Sequence, residues 1–137
     1  MSMSLWSLLG FAAWTLLLVL GVVSYRSALV LSGKRRANAW GRHLPFQDPD
    51  LLLRLAHAHA NCLENLPLLA AVVLVAGLTG KLALIDPLAG PYLALRIGQT
   101  LVHLVGTSHW LVFLRFSFFL PQLLLLVWMM GRLAGVL

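Results

Sequence analysis

The sequence predicts an all-α integral membrane protein folded as a four-helix bundle. Of its 137 residues, 61% are hydrophobic and only 10% are charged, whereas soluble domains average about 45–50% apolar and about 25% charged residues. An uncharged run from residue 5 to residue 25 is long enough to cross a bilayer once. Two Asp-Pro pairs, at residues 48–49 and 86–87, are typical of helix starts. We therefore expect residues 1–137 to form one transmembrane domain.

The net charge of the chain is +6, and nucleic-acid binding is the first function that such a charge suggests. The basic residues do not share one face, however, because four of them cluster in a polar loop at residues 32–47: Lys34, Arg35, Arg36 and Arg42. Cytoplasmic loops of membrane proteins are enriched in Lys and Arg. This enrichment accounts for the cluster, and we expect no nucleic acid as a partner.

Helix 1 is predicted over residues 4–31. It is almost uniformly apolar, and its one charged side chain, Arg26, lies near its end. Arg26 has two interpretations: it snorkels to the lipid headgroups, or it contacts an anion at the mouth of a binding site.

Helix 2 is predicted over residues 49–78, with Asp48 as its N-cap and Pro49 at the first helical position. Its last part, residues 66–78, is apolar all round and too short to span a bilayer alone. Its first part carries a polar stripe at positions i, i+3, i+7, i+10 and i+11, formed by Arg54, His57, Asn61, Glu64 and Asn65. Because lipid cannot solvate these groups, other helices or a wet cavity must cover them.

Helix 3, predicted over residues 87–106, and helix 4, predicted over residues 110–133, complete the bundle. Helix 4 has Arg115 near its start. Alternating sides place the basic loop and Arg115 in the cytoplasm and both termini on the non-cytoplasmic side. Helix 3 carries its own stripe, which we expect to face that of helix 2 or the same cavity: Tyr92, Arg96, Gln99 and His103.

The charges on these stripes do not balance, because three arginines accompany one glutamate, Glu64. Arginine stays charged and binds carboxylates in a fork, so the imbalance suggests an anionic ligand that enters from the cytoplasm. The alternative is a buried structural network, which would pair Glu64 with one arginine and leave two uncompensated. His57, Glu64 and His103 could converge on a metal ion, but their spacing is not a recognised ligand pattern. We expect no metal site.

Residues 54–67, RLAHAHANCLENLP, resemble the second-helix signature of the MAPEG family, the membrane-associated proteins in eicosanoid and glutathione metabolism. The family pattern is Arg, then Arg-Ala, then Asn, then Glu three residues later, then Pro. The chain has Arg54, His57-Ala58, Asn61, Glu64 and Pro67, so His57 stands where members usually have a second arginine. In length and four-helix layout the resemblance covers nearly the whole chain.

The resemblance implies a homotrimer that binds glutathione between subunits from the cytoplasmic side. It implies a glutathione-dependent transferase or peroxidase, acting on a lipophilic electrophile or a lipid hydroperoxide that arrives through the bilayer. Arg115 would match the arginine that activates the thiol. The residues implied to contact glutathione are those of the two stripes: Arg54, His57, Asn61, Glu64, Asn65, Arg96, Gln99 and His103.

Two other functions remain open from the sequence. The family also contains a non-enzymatic member, so the chain could be a non-catalytic membrane protein of the same fold that binds lipid or another ligand. A helical membrane protein of unrelated function, such as a small transporter subunit, is the third. The location expected for all of these is a bacterial inner membrane or the endoplasmic reticulum, with the chain in contact with membrane lipid.

Overall fold

The computed structural model describes residues 1–41 and 48–137, and over these residues the chain folds into four α-helices. They are α1 (Met3–Leu31), α2 (Asp50–Leu78), α3 (Leu82–Val105) and α4 (His109–Ala134). The all-α fold with four helices is confirmed, and the ends of α1, α2 and α4 lie within one residue of the predicted ones. Arg42 of the predicted basic loop lies outside the described residues.

The helices run antiparallel in chain order, as three contacts between their ends show. The backbone N–H of Ser4 donates to Asp86 Oδ1 at 2.9 Å, so the starts of α1 and α3 meet. Lys81 Nζ donates to the carbonyl oxygen of Leu133 at 3.2 Å, which brings the α2–α3 turn to the end of α4. At the opposite end, Arg54 Nε donates to the carbonyl oxygen of Leu104 at 3.0 Å, so the first part of α2 lies beside the end of α3.

The turn between α2 and α3 is very short, because only residues 79–81 separate the two helices. Gly80 has φ +69°, in the left-handed region that favours glycine. Its backbone geometry lets the N–H of Lys81 donate back to the carbonyl oxygen of Ala76 at 2.8 Å. This bond satisfies one of the carbonyl groups that a helix leaves unpaired at its C-terminus.

α2 and α3 are the central helices, since each contacts all three others. Apolar side chains fill the space between the helices, among them Phe11, Leu69, Val73, Ile85 and Met129, each 0% exposed. Many large apolar side chains point outward instead, such as Leu17 and Leu124. An apolar outer face is expected where the surrounding solvent is lipid.

Three helices, α1, α2 and α4, are long and apolar enough to cross a membrane. α3 has 24 residues, enough length for a crossing, but Arg96, Gln99 and His103 lower its hydropathy. All three of these side chains are buried against other helices. A polar helix face that neighbouring helices cover does not need a lipid-like sequence, and the chain is an integral membrane protein in which the other helices cover the polar face of α3.

Both predicted Asp-Pro helix starts are corrected by the structure. Pro49, not Asp48, is the N-cap of α2, and the Asp48 carboxylate instead accepts a hydrogen bond from Trp40 Nε1 at 2.9 Å. α3 begins at Leu82, five residues before the predicted start, so Pro87 lies inside the helix. Asp86 accepts hydrogen bonds from the backbone N–H and the hydroxyl of Ser4. Each carboxylate therefore binds a partner distant in sequence rather than the start of its own helix.

Asp86 thus caps the N-terminus of α1, and this contact gives a stability prediction. Asp86→Ala should lower the free energy of unfolding in detergent by about 1–2 kcal/mol, because α1 loses a charged acceptor for two donors. Asp50→Ala is the matched control, since Asp50 is an exposed carboxylate in the first turn of α2. Thermal unfolding measures both variants. Equal losses in the two would contradict the capping role of Asp86.

Candidate functional site

The polar stripes of α2 and α3 face each other, as the sequence predicted. Arg96 Nη1 donates to Asn61 Oδ1 at 2.6 Å. The imidazole rings of His57 and His103 lie with their centroids 6.5 Å apart. Together with the bond from Arg54 to the carbonyl oxygen of Leu104, these contacts follow the stripe over several turns. The two helices therefore present a continuous polar seam.

Arg96 is the most deeply buried charge of the seam, with 0% of its surface exposed. Its guanidinium carbon lies 5.4 Å from the ring centroid of Phe11 and 6.0 Å from that of Phe119. Aromatic faces attract a cation, so they replace part of the lost solvation. Its Nε and Nη2 atoms have no hydrogen-bond partner among the described residues. Arg96 thus holds an uncompensated positive charge directly behind Asn61.

A cavity of about 380 Å³ opens where the seam meets the start of α4. This volume falls within the range of about 300–1,000 Å³ that is usual for small-molecule sites. We call it the seam cavity. Most of its wall is polar, and it is lined by His57, Ala60, Asn61, Glu64, His103, Thr107 and Arg115.

Arg115 is the cationic side chain that α4 contributes to the seam cavity. It is half-buried, and its Nε atom has no hydrogen-bond partner among residues 1–41 and 48–137. The charges of Arg54 and Arg115 both act on His103, which itself is buried at 6% exposure. Arg54 of α2, Arg96 of α3 and Arg115 of α4 therefore all contribute positive charge in or next to the cavity.

Glu64 is exposed on the wall of the seam cavity and forms no ion pair with any described residue. The one ion pair within the described part of the chain joins Arg26 to Asp48, at 3.9 Å. Among the described residues, Glu64 therefore does not form a self-neutralising network with an arginine. Arg26 lies beside Trp40, away from the seam cavity, so it is not a contact at the cavity's mouth.

Several predicted site residues do not line the seam cavity. Asn65 is buried, and its Nδ2 donates to the carbonyl oxygen of Asn61 at 2.8 Å, within α2. Gln99 is also buried, and its Oε1 accepts from Gln122 Nε2 of α4 at 3.0 Å. Arg54 lies behind the wall, bound to the backbone of α3. Arg54 thus joins α2 to α3 and Gln99 joins α3 to α4, the helices that carry most of the lining residues, whereas the Asn65 bond stays within α2.

The sequence reasoning missed Ala60, Thr107 and Gln122. Thr107 lies in the break between α3 and α4, which was predicted only as an interruption of the helix, although a hydroxyl at such a junction is well placed to face a cavity. Gln122 is a single amide in a long apolar stretch, and that isolation is the signal that could have found it. Ala60 carries no polar group, so only the geometry identifies it.

The single cysteine, Cys62, does not belong to the seam cavity, although it follows Asn61. Its side chain is 0% exposed, and Sγ lies 3.7 Å from Thr100 Oγ1. A residue next to Asn61 on a helix points about 100° away, which takes the thiol into the bundle. A thiol that reacts in the cavity would have to come from a ligand.

Comparison with known proteins agrees with the geometry. The model of the MAPEG family matches residues 3–135, nearly the whole chain. Neither the curated proteins nor the solved structures give a significant match. The family match covers all four helices and the seam cavity between them, and the chain therefore belongs to the MAPEG family.

Proposed function

We propose that the chain is a glutathione-dependent transferase or peroxidase that acts on a lipophilic electrophile or a lipid hydroperoxide. The observation that carries the proposal is the seam cavity: Arg115 lines it and Arg96 backs it, and neither guanidinium forms an ion pair with a carboxylate of the described residues. The family includes glutathione-dependent enzymes and also non-catalytic members. The chemistry of the cavity therefore has to distinguish between them.

The charges in the cavity match those of glutathione. The tripeptide carries two carboxylates and one ammonium group, so it needs more cationic than anionic partners. Arg115 lines the wall, and Arg96 adds its charge from behind Asn61. Glu64 is the single anionic side chain on the wall, and it is exposed and unpaired within the described chain. Glu64 would bind the ammonium group, and the guanidinium groups would bind the carboxylates.

Arg115 is the residue that we assign to thiol activation. A nearby guanidinium stabilises the thiolate over the thiol, and the thiolate is the nucleophile. In a transfer reaction the thiolate attacks the electrophilic carbon, and the leaving group departs with the bonding electrons. In a peroxidase reaction the thiolate attacks the terminal peroxide oxygen and the O–O bond breaks, which gives a glutathione sulfenic acid and the lipid alkoxide. The alkoxide takes a proton from water to become the lipid alcohol. A second glutathione then reduces the sulfenic acid to the disulfide and water.

The setting of the cavity supports a lipophilic second substrate and access from the cytoplasm. The outer faces of the helices are apolar, so a lipid-soluble substrate can reach the bundle within the bilayer. The seam cavity lies at the same end of the bundle as Lys34, Arg35 and Arg36. The positive-inside rule assigns that end to the cytoplasm and both termini to the other side.

Removal of the Arg115 charge tests the proposal. We expect Arg115→Ala to lower turnover by about 100-fold, because a group that stabilises developing negative charge is lost. The affinity for glutathione should fall by less than about tenfold. The measurements are conjugation of glutathione to 1-chloro-2,4-dinitrobenzene, reduction of a hydroperoxide, and calorimetric titration with glutathione, all on detergent-purified protein.

Arg132→Ala is the control for Arg115→Ala, since Arg132 lies at the opposite end of α4. An equal loss of turnover and affinity in Arg115→Ala would contradict its role in activation. Wild-type protein that binds glutathione without turning over either substrate would indicate a non-catalytic binding protein. If the wild-type protein neither binds glutathione nor turns over either substrate, the proposed function is excluded.

The role of Glu64 is tested with an analogue of glutathione that lacks the amino group. Wild-type protein should bind this analogue about tenfold more weakly than glutathione, because a charge-assisted hydrogen bond is lost. Glu64→Gln should bind both ligands with similar, reduced affinity. Asp50→Asn, which removes an exposed carboxylate outside the cavity, serves as the control. A Glu64→Gln variant that keeps the wild-type preference would contradict the assignment.

The proposal includes a homotrimer with the sites between subunits, as the family resemblance implies. The exposed position of Glu64 and His57 supports it, because polar groups at membrane depth need a covering surface. Native mass spectrometry in detergent should give an assembly of three chains of 15.0 kDa each. A protein that remains monomeric while it binds glutathione would exclude sites between subunits.

A further inference from the structure

Two further hollows lie at the end of α1, lined by residues that do not line the seam cavity. The first is an apolar groove of about 450 Å³, which we call the Arg26 groove. Val23, Val30 and Leu31 form much of its wall, and Arg26 and Trp40 close it. The second is a polar hollow of about 480 Å³ on the loop that follows, lined by Lys34, Arg35, Arg36 and Asn38 among others. An apolar space thus adjoins a cationic one.

Arg26 lines the Arg26 groove and is held in place there. Its guanidinium carbon is 5.1 Å from the centroid of the Trp40 ring, and its Nη2 is 3.9 Å from Asp48 Oδ2. Asp48 is itself fixed, because its Oδ1 accepts the hydrogen bond from Trp40 Nε1. The ion pair with Asp48 engages only one Nη atom, and the Arg26 side chain is 36% exposed. A guanidinium carries five N–H donors, so Arg26 is an oriented cation that can bind a further anion.

The position of Arg26 along α1 matches the level of the lipid phosphates. α1 has 29 residues, which at about 1.5 Å per residue exceeds the hydrocarbon thickness of about 30 Å. The last turns of α1 therefore extend into the headgroup region. From the last turns of α1 to the first turn of α2, the described charges are four cations, Arg26, Lys34, Arg35 and Arg36, and the carboxylates of Asp48 and Asp50. The ligand chemistry that fits is an anion on an apolar tail.

We propose that each chain binds one anionic phospholipid here, with an acyl chain in the Arg26 groove and its phosphate between Arg26 and the basic residues 34–36. General attraction of anionic lipids to a basic loop needs no groove and no fixed side chain. A lipid bound at a specific site needs a groove for its acyl chain and a fixed cation for its phosphate, and it binds with a defined stoichiometry of one per chain. The site is separate from the seam cavity, so this inference does not rest on the glutathione proposal.

The test is native mass spectrometry of the full chain in detergent, titrated with phosphatidylglycerol or phosphatidylcholine of identical acyl chains. Wild-type protein should retain one phosphatidylglycerol per chain in preference to phosphatidylcholine. Arg26→Gln should weaken phosphatidylglycerol binding about fivefold, which is the effect of about one basic group at a membrane surface. The double variant Lys34→Gln/Arg36→Gln should weaken it further and serves as a second test if Arg26→Gln does not fold.

Arg132→Gln is the matched control, since it removes the same charge at the other end of the bundle. An equal loss of lipid binding in Arg132→Gln would mean that net charge alone attracts the lipid, and would overturn the proposal. Equal binding of the two lipids by wild-type protein would overturn it as well. Glycerol 3-phosphate, which carries the phosphate without acyl chains, should bind far more weakly; binding of equal strength would exclude a role for the groove.

Discussion

The hydrogen bond between Arg96 and Asn61 is the interaction on which the rest of the bundle depends. A guanidinium that is permanently charged cannot face hydrocarbon, and this one is fully buried at the centre of α3. Its burial requires a polar partner from α2 and aromatic rings from α1 and α4, packed around α3. The same requirement keeps an uncompensated charge behind the wall of the seam cavity. The buried charge of Arg96 therefore shapes both the packing of the helices and the electrostatics of the seam cavity.

Polar contacts join the helices at several levels, while apolar side chains fill the space between them. In lipid, apolar burial does not by itself drive helices together, so hydrogen bonds and close packing choose the neighbours. Ser4 with Asp86 fixes one end of the bundle, and Gln99 with Gln122 fixes α4 on α3 near the middle. The side chains that do not line the seam cavity thereby set the positions of those that do.

Much of the fold and part of the site follow from the sequence, because helical periodicity is a local property. The positions of Arg54, His57, Asn61 and Glu64 at helical spacing were enough to predict a stripe, and burial in lipid required a partner stripe on α3. The roles of Asp48 and Asp86 could not be predicted in this way. A carboxylate before proline looks like a cap for the next helix, but tertiary contacts decide its partner: Asp86 binds the start of α1, and Asp48 binds Trp40. The role of Thr107 could not be predicted either, because a non-helical junction between two helices has no periodicity that tells which way a side chain points.

The sealed position of Cys62 has a practical consequence for spectroscopy. It is the single cysteine in the chain, and its side chain has no exposed surface. A maleimide or nitroxide reagent applied to the folded protein would therefore bypass it and react only with a cysteine introduced elsewhere. Probes can be attached to the wild-type background without first removing the native thiol. Distances between two introduced probes then become measurable in intact membranes.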